Sequence, residues 1–138
     1  MTEVHIGGCA CGAIRYSASG ALAAQLHCQC GQCRKRSGTG HGSFLAFVGE
    51  GAVEITGTPS TWSETADSGN EKLHHFCGTC GAPVAVTFPA NPAVTALHAG
   101  SLDAPEGFAP GFITYTGRAM PWDRMDQALT GFTGMPTG

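Results

Sequence analysis

Short runs of alternating apolar and polar residues dominate the chain. Residues 13–18 have period two, with Ile14, Tyr16 and Ala18 on one face. Residues 52–56 alternate in the same way, and 43–48 form a brief apolar run between Gly42 and Gly49. Further strand candidates are 21–27, 60–65, 71–76, 82–88, 93–99 and 112–116, with Pro83 near the start of its run, where proline is tolerated. Gly57-Thr58-Pro59, Asp67-Ser68-Gly69-Asn70 and Pro89-Ala90-Asn91-Pro92 punctuate these runs as turns. Strands of this length with turns about every ten residues predict a mainly β, antiparallel domain. Two stretches, 31–37 and 123–129, predict a helical turn or two. There is no internal repeat, linker or low-complexity block, so 1–138 is read as one domain, with 130–138 as a loose tail rich in Gly, Thr and Pro.

Composition narrows the class. Hydrophobic residues are 42% and charged residues only 12%, which excludes a disordered chain. Lys and Arg total 7 against a net charge of −3, too little positive charge for a nucleic-acid footprint. No apolar stretch is long enough for a membrane-spanning helix. The N-terminal residues lack the basic and apolar regions of a secretory leader, so the expected compartment is the cytoplasm, with thiols reduced.

The seven cysteines change the picture most. They fall into three clusters: Cys9-Ala10-Cys11-Gly12, Cys28-Gln29-Cys30-Gly31-Gln32-Cys33 and Cys77-Gly78-Thr79-Cys80-Gly81. Closely spaced thiolates suit a tetrahedral metal site, because a short loop can aim two sulfurs at one point. Gly12, Gly31, Gly78 and Gly81 fit backbone knuckles that need positive φ. Soft thiolates select zinc or an iron–sulfur cluster. Two pairs and a trio suggest a four-thiolate structural site from Cys9, Cys11, Cys77 and Cys80. They also suggest a three-thiolate site from Cys28, Cys30 and Cys33 with an open position. Two purely structural metals, with His27 or another residue closing the trio, remain the alternative. With zinc in both sites the formal net charge becomes −6. Arg34, Lys35 and Arg36 directly follow the trio, where they offset its charge or attract an anionic substrate.

The string from His27 to Lys35, preceded by Gly7-Gly8-Cys9-Ala10-Cys11-Gly12-Ala13-Ile14-Arg15-Tyr16 and followed by Phe76-Cys77-Gly78-Thr79-Cys80-Gly81, resembles the glutathione-dependent formaldehyde-activating enzyme family, which also includes centromere protein V. Ala99-Gly100-Ser101-Leu102-Asp103 is similar to the strand and turn that follow in that family, while Gln29 stands where a His is common. The resemblance runs from about His5 to about Met125. It implies a zinc-bound β-tent of layered small antiparallel sheets. It implies structural zinc on Cys9, Cys11, Cys77 and Cys80, and a more labile catalytic zinc on Cys28, Cys30 and Cys33. The implied activity is that of a carbon–sulfur lyase resembling S-(hydroxymethyl)glutathione synthase, with glutathione or another small thiol and formaldehyde or a related aldehyde as partners.

Zinc in a three-thiolate site would lower the pKa of a substrate thiol. Arg34 is the expected partner of a substrate carboxylate, since Arg pairs bidentately with carboxylates. His27, Gln29 and His41 are candidates by position to deliver the proton, and His74 and His75 could stand behind a zinc ligand. The competing reading is a zinc-stabilised binding module without turnover, because zinc alone explains cysteines in a small domain.

Overall fold

Alternation sorts the side chains of the described residues, 3–136 in a computed structural model, into two apolar layers. A three-stranded antiparallel sheet has the order β1-β2-β5, from β1 (His5–Gly8), β2 (Arg15–Ala18) and β5 (Val53–Thr56). The other strands are β3 (Ala21–Cys28), β4 (Gly42–Val48), β6 (Ser60–Thr65), β7 (Glu71–Phe76), β8 (Pro83–Thr87), β9 (Val94–His98), β10 (Phe112–Thr114) and β11 (Thr130–Gly131). They form an eight-stranded sheet in the order β11-β10-β3-β4-β9-β8-β7-β6. One α-helix, α1 (Gly31–Ser37), follows β3. Three short 3-10 turns lie at Ala99–Ser101, Pro105–Gly107 and Thr116–Arg118.

The mainly β expectation holds, with one qualification. The large sheet is mixed, because β10 runs parallel to both β3 and β11. Strands β3 and β10 are far apart in sequence, so the parallel approach needs no hairpin. The segment 123–129, expected as a helical turn, is not helical. Asp126 Oδ1 accepts from the Ala128 N–H at 2.9 Å and the Leu129 N–H bonds Asp126 O at 3.1 Å, isolated turns that compete with a helix. Backbone pairing also continues into the stretch read as a tail. The Phe132 N–H bonds Ile113 O at 2.9 Å and the Tyr115 N–H bonds Gly134 O at 3.1 Å.

The two faces of the large sheet have different jobs. Leu45, Phe47, Ala85 and Leu97 face the small sheet and pack on Ile14, Tyr16 and Ala18. Full burial of a Leu or Phe side chain is worth roughly 1.5–3 kcal/mol, so this layer carries the fold. A bulge in β8, where His75 opposes Ala85 but Phe76 opposes Pro83, turns Val84 into the same layer. On the opposite face, Phe44, Val86 and Ala96 pack with Cys28, Cys30 and Cys33, joined by Leu26, Phe88 and Tyr115. That face presents a row of paired residues across five strands: Trp62, His74, Val86, Ala96 and Ala46. No helix among the described residues is long and apolar enough to cross a membrane.

Candidate metal centres and their surroundings

The seven cysteine sulfurs gather at two points. Those of Cys9, Cys11, Cys77 and Cys80 lie within 4.8 Å of one another, as do those of Cys28, Cys30 and Cys33. All seven cysteines are free thiols. The division into four and three is the one that the spacing suggests.

The first group joins the two sheets. Cys9 and Cys11 lie in the loop between β1 and β2, while Cys77 and Cys80 lie in the turn between β7 and β8. Cys11 Sγ is 3.7 Å from both Cys9 Sγ and Cys77 Sγ. Backbone N–H groups point at the sulfurs: Ile14 donates to Cys9 at 3.2 Å, and Thr79 and Cys80 each donate to Cys77 at 3.4 Å. Gly12 and Gly81 take positive φ, 85° and 78°, as a knuckle requires. Gly31 and Gly78 do not take positive φ. A Cβ at Gly78 would instead meet Ser60 Oγ at 2.6 Å, so close approach explains that glycine.

The second group is buried. Cys28 ends β3, Cys30 caps the N-terminus of α1, and Cys33 lies in its first turn. The Cys30 sulfur accepts the Cys33 N–H at 3.3 Å, the bond that a cap makes. Thr114 lies opposite Cys28 in the parallel β10–β3 pair and is fully buried, and its Oγ1 has no partner. The Gln29 N–H bonds the Thr114 carbonyl at 3.0 Å.

The donor chemistry fits a thiophilic cation at both points. Contact with Cys28 and then Cys33 holds the Cys30 thiol well below the usual thiol range, while Cys28 and Cys30 push Cys33 up. In the first group, the backbone N–H groups of Ala82 and Cys11 hold Cys80 down to about 6. There the Ala13 N–H acts to lower Cys11, yet the Cys77 and Cys9 sulfurs carry it up to about 11. Each cluster thus gives up one proton readily and resists losing the last, as like charges packed together must. A dication removes that resistance.

The polar residues singled out by position are organised otherwise. On β3, Leu26 and Cys28 face the trio's layer, so His27 points to the other side. Its Nδ1 lies 2.7 Å from Ser43 Oγ, and its ring meets Phe108 edge-on. His41 Nδ1 bonds Asp123 Oδ1 at 2.8 Å, and Gln29 Nε2 donates to Asp123 Oδ2 at 3.0 Å. Asp123 therefore clamps the loop between Cys28 and Cys30 from behind, a role its place in the sequence did not suggest. His75 Nε2 lies 2.8 Å from Thr87 Oγ1, not against a sulfur. Arg34 is half-buried on α1, its Nη2 4.0 Å from where a Cβ on Gly31 would stand.

A second polar assembly lies on the trio's face of the sheet. His74 Nε2 is 3.0 Å from Glu64 Oε1 and 3.1 Å from Arg36 Nη2, and its ring stacks on Trp62 at 4.5 Å. Arg36 was readable in principle, since it stands three residues after Cys33 in a predicted helical turn. Glu64, Trp62 and His98 carried no signal in the sequence.

Burial, reinforced by Arg36 and His74, pushes the His98 imidazole down to about 4 from its ordinary 6.5. His98 is neutral in the native protein, so its share of stability is fully present above pH 6.5. It is lost as the pH falls toward 4, because the unfolded chain then binds a proton that the native one refuses. The shift corresponds to about 3 kcal/mol. Urea midpoints measured from pH 7 to 4 should fall more steeply for the wild type than for His98→Gln. Parallel curves would show that His98 is not buried neutral.

Residues 4–118 match a family model described as glutathione-dependent formaldehyde-activating enzyme. A crystal structure of a Rhodobacter sphaeroides protein is similar in fold, with 20% identity and a TM-score of 0.57, covering 79% of this chain and 99% of that one. No curated protein matches the sequence.

Proposed function

The chain belongs to the glutathione-dependent formaldehyde-activating enzyme family, and from that premise we propose that it is a cytoplasmic zinc-dependent carbon–sulfur lyase of one domain. It joins a small thiol such as glutathione to formaldehyde or a related small aldehyde, or runs the reverse reaction. The observation that carries this reading is the second cysteine group. Three buried sulfurs converge within 4.8 Å, and no fourth Cys, His, Asp or Glu ligand joins them among the described residues. The other group supplies four sulfurs, enough to close a structural site.

Cys9, Cys11, Cys77 and Cys80 would hold a structural zinc, and Cys28, Cys30 and Cys33 would hold the catalytic one. A zinc ion held by the trio would supply Lewis acidity that lowers the pKa of a substrate thiol. The protein's own groups do the rest. Cys30, fixed as a helix cap, and Cys28, fixed by the sheet, keep the donor sulfurs in place. Phe44, Val86 and Tyr115 keep the surroundings apolar, so a thiolate there is poorly hydrated and more reactive. Arg34, on the same helix, adds positive charge that draws an anionic thiol toward the trio.

In the synthetic direction the thiol sulfur forms a bond to the aldehyde carbon. The carbonyl π pair moves to oxygen, and the proton released by sulfur ends on that oxygen. Nothing is oxidised or reduced. The reverse reaction breaks the same carbon–sulfur bond.

The test is adduct formation by the zinc-loaded protein with glutathione and formaldehyde, followed by carbon-13 NMR at catalytic protein concentration. Exchange between free and adduct signals should exceed the uncatalysed rate. No acceleration with two zinc ions bound would leave the zinc-stabilised binding module as the reading.

A further inference from the structure

A cavity of about 220 Å³ opens beside Arg36 and is used by none of the chemistry above. Trp62, Phe76, Pro83 and His98 line it, and Arg36 and His74 form its polar edge. None of the trio's cysteines lines it, but three links connect it to the trio's layer. Phe44 packs in the trio's layer, with its ring 4.8 Å from that of His98, and Val86 of that layer is paired with His74. Helix α1 supplies the third link. Arg36 follows Cys33 by three residues, which places it on the same helix face about 4.5 Å further along the axis.

Arg36 is oriented by its neighbours but not saturated by them. Its guanidinium lies over Trp62, with Cζ 5.1 Å from the ring centroid. Among the described residues its side-chain hydrogen bonds all use Nη2, to Glu64 at 3.4 Å and to His74 at 3.1 Å. Its Nε is buried without a partner, although a guanidinium carries five N–H donors. Glu64 pairs with the guanidinium across 3.4 Å and aims it, and the Nε donor is left outside that pair. Lys72, paired with Glu64 across β6 and β7, adds a second cation on this face. Burial chiefly, with a smaller contribution from Arg36, keeps the His98 ring of this cavity neutral.

We infer that this cavity receives the carboxylate-bearing arm of the thiol substrate, with Arg36 as its anchor and Trp62 and His98 as its walls. The inference rests on the thiol reading of the trio and adds to it the place where the thiol's carboxylate is held. The volume is below the roughly 300–1,000 Å³ of sites for drug-sized ligands, which suits one short arm rather than a whole peptide. Arg34 does not line the cavity, so the two arginines are separable by experiment.

The experiment compares formaldehyde adduct formation from 3-mercaptopropionate and from uncharged 2-mercaptoethanol. The double variant Arg36→Met/Glu64→Gln removes both charges together and leaves no unpaired carboxylate. It should raise KM for the acid about 10- to 100-fold, with kcat and the 2-mercaptoethanol parameters held. Arg36→Lys should restore part of the loss. Equal effects on both thiols, or no effect, would overturn the assignment. A second measurement needs neither variant nor turnover. S-methylglutathione, which has no thiol, should shift the His98 ring signals of the wild type in NMR, and no shift overturns the pocket. If S-methylglutathione binds there while no thiol is turned over, the trio reading fails and the pocket stands.

Discussion

Cys30→Ser is expected to remove one metal equivalent per chain and reduce thiol–aldehyde adduct formation to the uncatalysed rate while the fold persists. Serine is itself a favoured helix cap, so it can accept the Cys33 N–H that Cys30 accepts at 3.3 Å. The helix start is kept and only the soft donor is lost. Two sulfurs cannot hold zinc as three do, so affinity should fall beyond the roughly 10- to 100-fold typical of losing a residue that only orients a ligand. Metal analysis after dialysis, paired with the adduct assay, checks both parts. A variant that keeps two zinc ions and full activity would remove the trio from the mechanism.

Cys77→Ser should act on the whole fold. Cys77 is 1% exposed, accepts two N–H groups and packs in the layer between the sheets. Its group ties the β1–β2 loop to the β7–β8 turn, so it is a staple between the two sheets. Structural zinc sites contribute about 10–16 kcal/mol in small peptides, comparable to or larger than the usual 5–15 kcal/mol net stability of a domain. The variant should lose its cooperative melting transition, and a strong chelator should do the same to the wild type. A Cys77→Ser melting temperature within a few degrees of the wild type would mean that the four sulfurs do not stabilise the fold.

Local sequence made much of this legible. The alternation at 13–18 and 52–56 became paired strands, and 31–37 became α1 with the boundaries read from the sequence. The cysteine clusters sorted themselves into four and three because short loops restrict where two sulfurs can point. β1 escaped notice because Gly7-Gly8 offers no side-chain alternation. The helical reading of 123–129 failed because Asp123 and Asp126 spend their carboxylates on His41, Gln29 and a local turn. What stayed hidden was set by pairing between distant strands. Thr114 reaches Cys28 through a parallel register, and Trp62 meets His74 through an antiparallel one. Within the basic triplet the sequence favours Arg34, for its place beside Cys33. The helix turns Arg36 toward His74, a contact that sequence position did not suggest.

The parallel seat of β10 beside β3 also orders events on the ribosome. Cys28 emerges about 86 residues before Thr114, its partner in the sheet. At roughly 5–20 residues per second, that leaves about 4–17 s between the two. For all but the first five residues of that interval the nascent chain carries all three sulfurs of the trio but lacks the strand that will wall them in. Capture of the ion can therefore precede closure, so the finished protein need not breathe to be loaded.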